Sequence, residues 1–108
     1  MTENDHDNLS YSGTVGEQVI VSVTGQNTNS LGTFALKGPE HVPIPLDGII
    51  SFQLDPGLNT LQLILDSTTN NGSYRVVVRT SQNEPNNECV HVWVFHGNVM
   101  VKDFVFGA

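Results

Sequence analysis

Residues 88–106 read ECVHVWVFHGNVMVKDFVF. Two runs of β type flank Gly97-Asn98. Glycine at the first central position of a two-residue loop suits a type II′ turn, whose twist matches the strands it joins. The stretch therefore predicts a hairpin, and a loop of that length sets its register. His96 falls opposite Val99, Phe95 opposite Met100, Trp93 opposite Lys102 and His91 opposite Phe104. One face of this ribbon carries Cys89, His91, Trp93, Phe95, Met100, Lys102, Phe104 and Phe106. The other carries Val90, Val92, Val94, Val99, Val101 and Val105, with His96 and Asp103. A strand with one wet face alternates apolar and polar side chains. This ribbon is apolar on both faces, so both are expected to be covered: one by the protein's own core, the other by a ligand, a neighbouring domain, a second copy or an internal segment. Trp93, Phe95, His91, Lys102 and Phe104, with Tyr74 from the preceding strand, are the candidate ligand or interface residues.

The chain has 108 residues, a length that suits one domain with one modest core. Its hydrophobic fraction of 38% is that of a folded globule. The net charge is −7, and the cations are Lys37, Arg75, Arg79 and Lys102. Phosphate backbones and anionic lipid surfaces are bound by clustered Lys and Arg, so neither nucleic acid nor a membrane surface is expected as partner. No apolar run approaches the ~20 residues of a membrane-spanning helix. The start, MTENDHDN, lacks the basic and apolar regions of a secretory signal. Low lysine with abundant Asn, Thr, Ser and Gly leans towards a cell-surface, secreted or virion-like setting.

Residues 1–10 are polar and acidic and read as a flexible tail, with a single domain over 11–108. Within that domain 11–15 reads as a short edge strand. Residues 18–24, QVIVSVT, alternate with Val19, Val21 and Val23 on one face. A polar loop with a glycine at each end, GQNTNSLG, leads to the short strand 33–37. Pro39, Pro43 and Pro45 keep residues 38–46 out of any central strand, because each removes a ladder donor. Residues 49–54 place Ile50, Phe52 and Leu54 together, and Asp55-Pro56-Gly57 is a strong turn. Residues 58–66 alternate Leu61, Leu63 and Leu65 with Thr60, Gln62 and Ile64, a period of two rather than 3.6. Residues 67–72 then read as a hairpin loop into 73–80, whose Tyr74, Val76, Val78 and Thr80 share a face opposite Arg75 and Arg79. Seven or eight short strands at this spacing predict an all-β, two-sheet antiparallel β-sandwich, immunoglobulin-like or jelly-roll in arrangement.

Little in the chain points to catalysis or to a bound ion. Cys89 stands alone, so it forms no internal disulfide and no cysteine cluster for zinc. Cys89 and His91 share a strand face, which is the one arrangement open to a thiol hydrolase. Successive same-face positions lie almost 7 Å apart on a strand, loose for a thiolate–imidazolium pair. Asp66, Asn70 and Asn71 offer oxygen atoms in one loop, and calcium is the ion they would suit. They lack the alternating acidic spacing of a calcium loop, so neither metal nor cofactor is assigned. His41, in the proline-rich segment, has no acid or nucleophile beside it in sequence.

Two functions fit. The first is a non-catalytic binding or adhesion module for a glycan or protein partner, with loop amides and hydroxyls as hydrogen-bonding groups and Trp93, Tyr74 or Tyr11 as a stacking surface. The second is a structural subunit that forms a homo-oligomer through the C-terminal hairpin, since interface cores are rich in Trp, Phe and Met.

Overall fold

A computed structural model describes residues 6–66, 72–80, 89–94 and 99–108. Among the described residues there are nine strands: β1 His6–Ser12, β2 Gln18–Gln26, β3 Thr33–Leu36, β4 Val42–Pro43, β5 Ile49–Gln53, β6 Leu58–Leu65, β7 Ser73–Thr80, β8 Cys89–Val94 and β9 Met100–Gly107. They form a five-stranded sheet, β1-β9-β6-β3-β4, and a four-stranded sheet, β5-β2-β7-β8. The fold is a two-sheet β-sandwich in which every pair is antiparallel except β1 with β9.

Period-two alternation decides which side chains meet between the sheets. Val19, Val21 and Val23 of β2, Ile50 and Phe52 of β5, and Tyr74, Val76 and Val78 of β7 face the core from one side. Leu61, Leu63 and Leu65 of β6, with Met100, Phe104 and Phe106 of β9, face it from the other. Each fully buried Leu or Phe contributes roughly 2–3 kcal/mol over its exposed state, so these two columns dominate the stability of the domain.

The predicted C-terminal hairpin does not form. β8 belongs to the four-stranded sheet and β9 to the five-stranded one. The chain crosses between sheets from Val94 to Met100, and five intervening residues suffice for the roughly 10 Å that separates packed sheets. Two of the pairs predicted as in-sheet neighbours still meet, but across the core, while Phe95 and His96 lie outside the described residues. The Lys102 ammonium lies 4.6 Å from the centre of the Trp93 ring, and the His91 and Phe104 rings are 6.2 Å apart, edge to face. The loop after β6 is likewise no hairpin, because β6 and β7 lie in opposite sheets. Only β3–β4 and β7–β8 are sequential strands that pair within one sheet.

The strand at the N-terminus begins earlier than its sequence predicts. Residues 6–10, read as tail, belong to β1, because parallel pairing to β9 satisfies their backbone and places Leu9 and Tyr11 against Phe104 and Phe106. The proline-rich segment behaves as its composition requires: β4 is two residues long and lies at a sheet edge.

Candidate functional site

Most of the residues singled out from sequence gather between β1, β8 and β9. Tyr74, Lys102 and Phe104 are buried, so none of them lies on an open surface. Trp93 and His91 point inward from β8 and are half-buried, their rings stacked at 5.2 Å and nearly parallel. Phe95, Asn70 and Asn71 lie outside the described residues, and Asp66 is exposed. The Tyr11 hydroxyl and His91 Nε2 share a hydrogen bond of 2.6 Å. Burial pushes the Tyr11 phenol up to about 12, with the charge and hydrogen bond of the Cys89 sulfur adding to the effect. Tyr11 thus stands with both Cys89 and His91, and the imidazole Nε2 of the one cysteine–histidine pair is committed to a phenol. The aromatic set therefore packs at one side of the sandwich, with Tyr74 and Phe104 buried and Tyr11, His91 and Trp93 half-buried.

A different site lies on the outer face of the five-stranded sheet. Register puts Asn8 beside Asp103, Asp103 beside Gln62 and Gln62 beside Ala35, one row across four strands. These positions face away from the core because they alternate with Leu9, Phe104 and Leu61. The segment after β3 rises at one end of the row and brings Pro39 and His41 over it. The result is a groove of about 470 Å³, lined by Asn8, Thr60, Gln62, Asp103 and His41 and floored by Ala35 and Val105. Alanine at the floor is informative: Ala35 points outward yet is only 3% exposed, covered by the wall of this groove rather than by the core.

The polar groups of the groove are already organised. Gln62 Nε2 donates to the Asp103 carboxylate at 2.8 Å. That fixes the amide orientation, so Gln62 Oε1 accepts from His41, whose Nε2 lies 2.7 Å away. His41 therefore carries its proton on Nε2. The chain His41–Gln62–Asp103 links the segment after β3 to β6 and β9 and restrains these side chains. Such preorganisation lowers the entropy cost of recognising a ligand. Among the described residues no three His, Cys, Asp or Glu side chains gather to hold a metal ion.

A second concavity, about 510 Å³, opens at one end of the sandwich between residues 23–32 and 43–47. It is built of Thr28, Asn29, Ser30, Leu31 and Ile44, with Asp47 as its charged residue. The Tyr74 hydroxyl donates to the Ser30 carbonyl at 2.9 Å and anchors the loop that forms it. Comparison with protein-family models, with curated proteins and with solved structures finds no match.

None of the groove residues stands out in the sequence as a site residue, and His41 has no acid or nucleophile beside it there. One signal was present: Asp103 interrupts the valine face of residues 99–105. Thr60 and Gln62 similarly occupy the outward positions of a leucine-rich strand.

Proposed function

We propose that this domain is a non-catalytic binding module, and that the groove on the five-stranded sheet takes a polyhydroxylated ligand of the glycan class. The observation that carries this is the hydrogen-bonded row His41–Gln62–Asp103 laid across a groove floor. Carboxylate, amide and imidazole groups in one row, with the Thr60 hydroxyl beside it, offer both donors and acceptors to a hydroxyl-rich ligand. The small apolar patches of Val105 and Pro39 suit the C–H faces of a sugar. Among the described residues the groove has no Trp or Tyr, and the Phe104 ring beneath it is buried in the core, so affinity rests on hydrogen bonds and is modest.

The test is a glycan array followed by titration calorimetry on the hits. Removing a charged hydrogen-bond partner costs about 1.5–3 kcal/mol, so Asp103→Ala and Gln62→Ala are expected to weaken binding by roughly tenfold or more. Both positions lie outside the core, so the fold is retained. A glycan bound equally by all three proteins, or no glycan bound at millimolar concentration, overturns the proposal.

A further inference from the structure

The sandwich has four edge strands, and three of them are protected. β4 is two residues long and contains Pro43. β5 turns Ser51 and Gln53 outward with one apolar residue, Ile49, and β1 turns Asn8, Ser10 and Ser12 outward, all exposed. Short strands, proline and polar side chains are the ordinary means by which sheets avoid pairing with other chains. β8 uses none of them. Its outward positions are Val90, Val92 and Val94, and Val92 is 62% exposed. Among the described residues β8 pairs only with β7 and is the terminal strand of its sheet.

The charge of this face differs from that of the chain. The net charge is −7, yet the outward strand positions of the four-stranded sheet include no Asp or Glu among the described residues. Arg75 and Arg79 are exposed there, and Arg75 is registered directly beside Val92. Val77, registered beside Val90, is buried and Ile20 is half-buried, so the exposed apolar surface at this edge is that of Val90, Val92 and Val94. An apolar, cationic face on an acidic protein is complementary to an apolar, acidic partner, and it disfavours a second copy of the same arginine-bearing face.

We infer that β8 accepts an extended strand from a protein partner, as a fifth strand of this sheet, with β-branched residues packing beside Val90 and Val92 and a glutamate reaching over Val92 to Arg75. Backbone pairing supplies affinity in this mode of recognition, and alternate side chains supply specificity. The surface is separate from the groove, which lies on the outer face of the other sheet.

The probe is a fluorescein-labelled, acetylated octapeptide, VTVTETVT, measured by fluorescence anisotropy. The controls replace its glutamate with lysine or its central threonine with proline. The glutamate peptide is expected to bind saturably and at least tenfold more tightly than the lysine peptide. Arg75→Glu is expected to reverse that preference, Val92→Lys to abolish binding, and the proline peptide not to bind. Circular dichroism checks that each variant is folded; if Val92→Lys is not, the proline peptide tests the same pairing. No saturable binding, equal binding of the two charged peptides, or an unchanged preference after Arg75→Glu overturns the inference. So does concentration-dependent self-association that Val92→Lys removes, because the occupant is then a second copy.

Discussion

Asn59→Ala should be among the most damaging single polar substitutions in this domain. Asn59 is 2% exposed at the start of β6. Its Oδ1 accepts from the Asp55 N–H at 2.9 Å, and its Nδ2 donates to the Asp55 carbonyl at 3.0 Å and to the Phe106 carbonyl at 3.0 Å. One amide therefore closes the Asp55–Gly57 turn and ties it to the last strand of the same sheet. The two bonds within the partly wet turn are worth about 1 kcal/mol each, and the buried Phe106 carbonyl left without its partner costs roughly 1–3 more. The expected loss is about 3–5 kcal/mol, a large share of the ~5–15 typical of a whole domain. Urea unfolding followed by Trp93 fluorescence measures it. The midpoint should fall while the slope stays constant, since the same surface is exposed on unfolding. Asn59→Asp retains the acceptor for Asp55 N–H but turns an oxygen towards two carbonyls. Burial and those carbonyls raise the pKa of the new carboxyl in the folded state, so this variant should recover stability as pH falls. A loss below about 1 kcal/mol for Asn59→Ala would refute the view that these three bonds hold the turn to the sheet.

The Tyr11 phenol should titrate near 12, seen as the phenolate absorbance lost in Tyr11→Phe; a midpoint at the ordinary tyrosine value would be incompatible with its burial. Because the folded value is raised, the stability that Tyr11 contributes is whole below the ordinary phenol range and is lost as pH rises towards 12. Gly48→Ala should cost more than about 3 kcal/mol and Gly16→Ala only about 1–2. Both have positive φ, but a Cβ at Gly48 would lie 2.0 Å from the Val23 carbonyl oxygen while Gly16 has nothing within 4 Å; equal losses in thermal melts would contradict this. Trp93→Ala should lower stability by about 2–4 kcal/mol yet leave any glycan affinity unchanged, because the ring packs on His91 and Lys102 inside the sandwich. A glycan affinity that falls with Trp93→Ala in folded protein would place the ligand elsewhere.

The inward rows of β2, β5, β6 and β7 were legible residue by residue, since Val19-Val21-Val23, Ile50-Phe52, Leu61-Leu63-Leu65 and Tyr74-Val76-Val78 are set by the pleat alone. Asp103 hinted at the groove. His41, Gln62, Asp103 and Asn8 come from four separate segments, however, and only the register of β1, β9 and β6 and the path of the chain after β3 bring them together.

Local chemistry determines that a segment is extended and which of its side chains share a face, because both follow from a two-residue period. It does not determine which strand lies beside it. Five residues between Val94 and Met100 can close a hairpin or cross from one sheet to the other, and the Gly97-Asn98 signal is compatible with the first. The crossing prevails because it buries the aromatic faces of both strands against each other, Trp93 over Lys102 and His91 against Phe104, where a hairpin would leave one broad greasy face to be covered from outside. That choice is made by the area removed from water in the whole sandwich, a sum over partners far apart in the chain.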